Sequence, residues 1–138
     1  MTQRIAVLGA TGSIGDSTLS ILADHPEHYQ VYALSGHGRL DKLFELCQQF
    51  KPSRVAVPED KVDEFAARLQ QANLTCDVVG GQAGLDDIAA DTEVDTVVAA
   101  IVGAAGLAST LTAAKAGKRI LLANKEALVM AGSLMMKA

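Results

Sequence analysis

Short apolar runs alternate with stretches of helical periodicity along the chain. Between Leu40 and Phe50, for example, apolar residues recur at the spacing of one helix face. The same pattern predicts helices from Ser13 to just before His25, over Leu40–Phe50, Asp60–Ala72, Gln82–Ala89 and Leu107–Ala116, and from about Lys125 onward. The apolar runs between them predict six strands: about Arg4–Leu8, Tyr29–Leu34, Arg54–Val57, Asp77–Val79, Thr96–Ile101 and Arg119–Ala123.

Regular alternation of strands and helices is typical of an α/β domain in which right-handed crossovers build a parallel sheet. We therefore predict a Rossmann-like, doubly wound parallel sheet of about six strands with helices on both faces. The fifth and sixth strands are near-continuous apolar runs, as expected of strands covered on both faces. A chain of 138 residues is long enough for one domain with its own core, and we assign residues 1–138 to a single domain.

The sequence GATGSIG, at positions 9–15, joins the first predicted strand to the first predicted helix. A glycine-rich turn in this place directs backbone N–H groups and the positive end of a helix toward one point, where phosphate binds. Gly9 would let the chain leave the strand sharply, Gly12 would leave room for a pyrophosphate, and Gly15 would let the helix pack closely on the sheet. A purely structural turn is the alternative, but the flanking strand and helix favour nucleotide binding.

Composition narrows the choice of partners. The net charge is −4, aromatic residues make up 4% of the chain, and tryptophan is absent, so neither phosphate-backbone contacts nor base stacking with nucleic acid is expected. No apolar run approaches the roughly 20 residues of a membrane helix, and the chain starts on a strand rather than a signal peptide. Cys47 and Cys76 lack the spacing of a zinc or redox motif and are expected to be small core residues. We expect a cytoplasmic domain with no nucleic-acid or membrane partner.

The residues after the second strand bear on the choice of dinucleotide. In this fold that strand ends beside the adenine ribose, where a carboxylate favours NAD and basic or small polar side chains favour the 2′-phosphate of NADP. Here Ser35, His37 and Arg39 follow, and no carboxylate occurs before Asp41. The guanidinium of Arg39 can pair with a phosphate. The sequence favours NADPH, with Gly38 and Arg39 as cofactor-binding candidates; a solvated Arg39 in the first helical turn is the alternative.

Two further groups of residues follow the fifth and sixth strands. Small residues at positions 99–103 would let a flat ring lie close, or would simply allow a helix to pack tightly on the sheet. Asn124, Lys125 and Glu126 come directly after an apolar run. Asn124 could cap the next helix while Glu126 complements its dipole, or both could hold cofactor while Lys125 meets an anionic substrate. Position alone leaves these alternatives open.

Three motifs stand out once the elements are placed. They are GATGSIG at 9–15 with Ser17-Thr18-Leu19 after it, AAIVGAAGL at 99–107, and GKRILLANKEAL at 117–128. Together they resemble the 1-deoxy-D-xylulose 5-phosphate reductoisomerase family, NADPH enzymes of the non-mevalonate isoprenoid pathway. The resemblance covers the whole chain; its second and third motifs are long and specific, whereas the first is shared with other reductases.

The resemblance implies a set of cofactor-binding residues: Thr11, Gly12, Ser13, Ile14, Asn124 and Glu126. It implies that Lys125 contacts the sugar-phosphate substrate. Members of the family often have a glycine-lysine-asparagine run after the second strand, and this chain departs from it at His37-Gly38-Arg39. Arg39 could supply the charge of that lysine from one position later.

The resemblance also implies a longer enzyme. The metal-binding carboxylates and the substrate-covering loop of the family belong to a following domain, and nothing in this chain matches them. We therefore expect an isolated NADPH-binding domain that is inactive by itself. In the complete enzyme, expected to be a homodimer, Mg or Mn would hold the substrate during its rearrangement, and NADPH would reduce the resulting aldehyde.

Two other functions compete with this one. The first is another NADPH-dependent reductase with the same turn, of the aspartate-semialdehyde or dihydrodipicolinate type. A semialdehyde reductase needs a cysteine nucleophile, and neither Cys47, on the apolar face of a helix, nor Cys76, at the start of a strand, suits that role. The second is a non-catalytic module that senses NADPH.

Overall fold

The computed structural model describes residues 2–101 and 104–122. Its strands are β1 (Gln3–Leu8), β2 (Tyr29–Ser35), β3 (Arg54–Val57), β4 (Asp77–Gly80), β5 (Thr96–Ala99) and β6 (Arg119–Leu122). Its α-helices are α1 (Ser13–Ala23), α2 (Leu40–Phe50), α3 (Val62–Gln71), α4 (Gly81–Ala89) and α5 (Ala104–Lys115), and one turn of 3₁₀-helix, Glu59–Lys61, precedes α3. Within the described ranges, no helix has the length and apolar character needed to cross a membrane.

The strands form one sheet of six, in the order β4-β3-β2-β1-β5-β6, and every neighbouring pair is parallel. The chain moves outward from β1 to β4, returns to the other side of β1, and continues from β5 to β6. This reversal of direction confirms the predicted doubly wound topology. It also opens a crevice between β1 and β5 at the carboxyl ends of the strands, where this fold binds its ligands.

The side chains of β1 alternate between two separate cores, one on each face of the sheet. Ile5 and Val7 pack with residues of α1, α2 and α3, whereas Ala6 and Leu8 pack with residues of α4 and α5. Right-handed crossovers explain this division, because helices change face when the chain changes its direction of travel across the sheet. The prediction of helices on both faces is confirmed.

The predicted burial of the fifth strand is confirmed. Thr96, Val97 and Val98 of β5 are buried, as expected of a strand between two neighbours. Ile120 and Leu121 of β6 are only half-buried. Among the described residues β6 pairs with β5 alone.

Element boundaries differ from the predicted ones by a few residues. The helix expected from Asp60 begins as the 3₁₀ turn after Pro58, and β5 ends at Ala99, before the predicted Ile101. The predicted cap of α5 is correct: Gly117 has φ +77, and the N–H groups of Gly117 and Lys118 donate to the carbonyls of Ala114 and Ala113. The helix predicted from Lys125 onward lies outside the described residues.

The two cysteines meet in the structure, although their positions in the sequence do not suggest it. Cys47, on α2, is fully buried in the core formed with α1 and α3, and Cys76 is half-buried against the same core. Both are free thiols. The neighbouring Cys76 thiol, together with burial, raises the pKa of Cys47 above its ordinary value, and the Cys47 thiol lowers the pKa of Cys76. The predicted core role is confirmed for Cys47 and holds in part for Cys76.

An arginine at the amino end of the sheet holds three carboxylates together. Arg54 contacts Asp77 through Nε at 3.1 Å, Asp91 through Nη1 at 3.1 Å and Asp87 through Nη2 at 2.5 Å. The hydroxyl of Tyr32 donates to the same Oδ2 of Asp91, at 3.3 Å. Burial by itself would lower the pKa of Arg54, but the hydrogen bonds with Asp87 and Asp91 raise it above its ordinary value. This cluster ties β3, β4 and the end of α4 together, opposite the crevice.

Loss of the Arg54 cation should destabilise the fold substantially. The side chains of Arg54 and Asp91 are only 14% and 13% exposed, so Arg54→Gln would leave a nearly buried carboxylate without its cation. We expect the free energy of unfolding, measured by urea denaturation, to fall by about 3 kcal/mol. Lys61→Gln, which breaks an exposed pair with Glu64, is the control and should change it by less than about 1 kcal/mol. Equal losses in the two variants would contradict a structural role for the cluster.

Candidate functional site

The turn between β1 and α1 lies at the crevice where the strand order reverses. Gly9 has φ +84, a left-handed conformation that favours glycine. A Cβ atom on Gly9 would lie 2.8 Å from the carbonyl oxygen of Ala100, just beyond β5. The N–H of Ala100 donates to the carbonyl of Leu8 at 2.9 Å, which extends the pairing of the two strands. The turn therefore packs closely against the end of β5, and the chain leaves β1 as sharply as predicted.

Gly15 and Gly12 lie in opposite surroundings. A Cβ atom on Gly15 would overlap the carbonyl oxygen of Gly9 and lie 2.8 Å from the Cα of Ala10. Gly12 is exposed, and a Cβ atom on it would meet only the oxygen of Gly9, in ordinary van der Waals contact at 3.8 Å. Gly15 thus lets α1 pack on the turn, and Gly12 leaves an approach to the backbone.

The amino end of α1 opens into that approach. Gly12 is its N-cap residue and offers no side-chain cap, while its carbonyl accepts the N–H of Asp16 at 2.9 Å. The first N–H groups of a helix, here at Ser13 and Ile14, have no intrahelical acceptor, and the helix dipole makes this end positive. The one acidic residue of the first turn, Asp16, is paired with Lys42 of α2 at 3.1 Å. Such an end suits an anionic ligand.

Hydrogen bonds join the loop after β2 to the glycine turn. The hydroxyl of Thr11 donates to the carbonyl of Gly38 at 3.4 Å, and Nη1 of Arg39 donates to the carbonyl of Thr11 at 3.0 Å. Arg39 is exposed and has φ +53, a conformation that costs a non-glycine residue roughly 1–3 kcal/mol. A guanidinium carries five N–H donors, so the bond to Thr11 leaves others available. Gly38 is exposed, and a Cβ atom there would meet nothing within 4 Å.

Ser35 does not lie where the sequence suggested. As a polar residue at the end of β2 it was a candidate donor to a ligand, but the structure buries it to 2% exposure. Its hydroxyl accepts the N–H of Gly9 at 2.8 Å, and its carbonyl accepts the N–H of Ala10 at 2.8 Å. Only the pairing of β1 with β2 brings these residues together, so no local sequence signal could have shown this contact. His37, the third polar residue of the loop, is exposed.

The remaining predicted site residues follow β5 and β6. Asn124, Lys125 and Glu126 lie outside the described residues, as do positions 102 and 103 of the motif after β5. Of that motif, Ala99, Ala100 and Ile101 are half-buried beside the glycine turn. Within the ranges 2–101 and 104–122, no three His, Cys, Asp or Glu side chains are grouped in a way that could hold a metal ion.

A strand, a glycine turn with an open approach and a helix N-terminus meet at the switch point of a doubly wound sheet. These features place the chain among the Rossmann-like α/β domains, the class in which a dinucleotide binds at such a turn. Residues 5–132 match the family model for 1-deoxy-D-xylulose 5-phosphate reductoisomerase. The chain therefore belongs to that family, and the match decides in its favour over the semialdehyde and dihydrodipicolinate reductases that the sequence left open.

Individual relatives agree with the family model. The chain is 88% identical to the 1-deoxy-D-xylulose 5-phosphate reductoisomerase of Psychrobacter sp. (strain PRwf-1), covering 100% of this chain and 34% of that protein. It is 56% identical to that of Acinetobacter baylyi, covering 100% of this chain and 35% of the relative. The chain thus spans about a third of the length of these curated relatives.

Solved structures show the same fold. A DOX-P reductoisomerase in complex with NADPH, fosmidomycin and magnesium matches with a TM-score of 0.86 and 55% identity, over 98% of this chain and 33% of that one. The reductoisomerase from Zymomonas mobilis in complex with NADPH matches with a TM-score of 0.82 and 35% identity, over 99% of this chain and 36% of that one. The likeness extends over nearly all of this chain.

The different packing of Gly15 and Gly12 can be tested by measuring the stability of the folded protein, without a ligand. Gly15→Ala forces a Cβ atom into the backbone of the turn, and we expect it to lower the free energy of unfolding by about 1–3 kcal/mol. Gly12→Ser is the matched control, because its side chain meets no close neighbour and an N-cap position accepts serine; a change of only a few tenths of a kcal/mol is expected. Urea denaturation measures both. Equal destabilisation would show that Gly12 is also a packing position.

Proposed function

We propose that this chain is the NADPH-binding domain of a reductoisomerase that converts 1-deoxy-D-xylulose 5-phosphate to 2-C-methyl-D-erythritol 4-phosphate. The observation that carries the proposal is the open approach to Gly12 at the amino end of α1, in a chain of this family. Relatives of known structure were solved with NADPH, which supports the choice of ligand. When bound, NADPH supplies a hydride to the substrate.

The backbone around the first turn of α1 would hold the pyrophosphate. Gly12 leaves the space, and the N–H groups of Ser13 and Ile14 supply donors at the positive end of the helix. Thr11 is 7% exposed and has its hydroxyl bonded to Gly38, so its contribution would be to hold the adjoining loop in place. This assigns the four predicted residues of the turn two different tasks.

Gly38 and Arg39 would form the subsite for the adenine ribose. Gly38 leaves open space, and the guanidinium of Arg39 can pair with the 2′-phosphate while Nη1 stays bonded to Thr11. No carboxylate lies at the end of β2 to favour a free 2′-hydroxyl. NADPH is therefore preferred over NADH in this proposal.

The remaining assignments concern the complete enzyme. Asn124 and Glu126 would complete the cofactor site, and Lys125 would bind the sugar-phosphate substrate at the end of β6. The domain formed by residues 1–138 would be followed by one that carries the metal-binding carboxylates. A relative of known structure holds magnesium, and no described residue of this chain is proposed as a metal ligand. We further propose a cytoplasmic location and a homodimer for the complete enzyme.

Titration of the 138-residue chain with NADPH tests the proposal. We expect saturable binding by calorimetry and no turnover of 1-deoxy-D-xylulose 5-phosphate. Gly12→Val should abolish binding without loss of the circular dichroism spectrum, because its side chain fills the approach to the turn. Gly12→Val with unchanged affinity would show that the ligand binds elsewhere, and turnover by the chain alone would overturn its assignment as a non-catalytic domain.

Arg39→Ala tests the choice between NADPH and NADH. A charge-assisted hydrogen bond contributes about 1.5–3 kcal/mol, and solvent exposure reduces this, so we expect about a tenfold loss of NADPH affinity and little loss for NADH. Raised salt should weaken NADPH binding more in the parent protein than in the variant. Lys115→Ala, which removes an exposed positive charge at the end of α5, is the control and should change neither affinity. Equal losses for both dinucleotides would mean that Arg39 only positions the loop.

A further inference from the structure

We infer that Ser35 is a positioning residue for the dinucleotide: its buried hydroxyl fixes the glycine turn so that the amino end of α1 faces the pyrophosphate. The inference rests on the proposed function, since it assigns a task within that cofactor site. It also replaces the expectation that Ser35 donates directly to the ligand.

Ser35 binds two successive residues of the turn at once. Its side chain accepts the N–H of Gly9 at 2.8 Å, and its main chain accepts the N–H of Ala10 at 2.8 Å. Alanine in place of Ser35 would keep the second bond and lose the first. The hydroxyl therefore adds a constraint on Gly9 that backbone pairing does not supply. At 2% exposure, Ser35 has almost no surface with which to contact a ligand directly.

The constraint on Gly9 is transmitted to the helix. Gly15 packs so closely on Gly9 and Ala10 that a Cβ atom would not fit between them. A displacement of Gly9 must therefore move the first turn of α1, or open a gap beneath it. The N–H groups of Ser13 and Ile14 belong to that turn. Ser35 thus acts on these donors through two successive contacts, from Ser35 to Gly9 and from Gly9 to Gly15.

The donors of the turn are divided between the protein and the ligand. The N–H groups of Gly9 and Ala10 are bound to Ser35, whereas those at the start of α1 have no intrahelical acceptor. Preorganised donors bind an anion more tightly than donors that must first be ordered, because less conformational entropy is lost on binding. This division predicts a specific binding phenotype: both dinucleotides share the pyrophosphate, so loss of the Ser35 hydroxyl should weaken NADPH and NADH by the same factor.

The experiment compares Ser35→Ala with Thr96→Val in the longest gene product that carries this sequence. Thr96 is a suitable control because it is also 2% exposed and its substitution also removes one hydroxyl hydrogen bond, to Oε1 of Gln3 at 3.2 Å. It differs in lying at the amino end of β5, away from the crevice. NADPH and NADH affinities are measured by calorimetry and stability by urea denaturation. Should Ser35→Ala fold poorly, Ser35→Cys, which keeps a weak acceptor of similar size, replaces it.

We expect Ser35→Ala to weaken both dinucleotides about fivefold, from the loss of one neutral hydrogen bond, and Ser35→Cys to weaken both by a smaller factor. Thr96→Val should lower stability and leave both affinities unchanged. Unchanged affinities in Ser35→Ala would overturn the inference, as would a loss confined to NADPH, which would mean that Ser35 contacts the 2′-phosphate. A parent protein that binds neither dinucleotide would instead contradict the proposed function.

Discussion

Close packing of the first turn of α1 on the glycine turn is the constraint from which the rest of this site follows. It is possible only because Gly15 has no side chain: the carbonyl of Gly9 and the Cα of Ala10 occupy the space that a Cβ atom would need. The helix is thereby drawn to the end of β1, and its unpaired N–H groups open into the crevice between β1 and β5. The left-handed Gly9 and the open space at Gly12 are needed for the same geometry. The position of these donors is therefore set by packing.

The two ends of the sheet differ in whether their polar groups have partners within the chain. At the amino end the Arg54 guanidinium is bonded to three carboxylates, and Arg4 pairs with Glu93 and Asp95, so both cations are occupied by partners within the chain. At the carboxyl end the helix N-terminus has no side-chain cap, and much of the Arg39 guanidinium remains available. The cations at one end are thus occupied by the protein's own carboxylates, whereas unused donors leave the other end able to bind an anion. The asymmetry is that expected of a parallel sheet whose ligands bind at its carboxyl ends.

Local sequence patterns predicted the fold well, but they could not predict contacts between residues that are distant in the sequence. The bounds of α2 and β3 agree with the prediction, because a strong apolar stripe defines the helix and Pro52 and Pro58 flank the strand. The strand order itself, with β5 between β1 and β6, could not be read from the apolar runs, since such a run does not reveal which strands pair with it. The contact of Cys47 with Cys76 and the bond from Gly9 to Ser35 depend on tertiary packing and strand register. Sequence therefore identified the glycine turn and not the residue that fixes it.

The bonds through Thr11 have a consequence for energetics under the proposed function. Thr11 belongs to the turn that would hold the pyrophosphate. Its hydroxyl donates to the carbonyl of Gly38 and its own carbonyl accepts from Arg39, and these two residues would hold the adenine ribose. Residues in one hydrogen-bonded network do not contribute independently, so substitutions at Thr11 and Arg39 should give non-additive changes in affinity. Arg39 also needs this support, because its left-handed backbone is held by the surrounding structure. Selectivity for the 2′-phosphate would thus depend on the turn that binds the pyrophosphate as well as on the charge of Arg39.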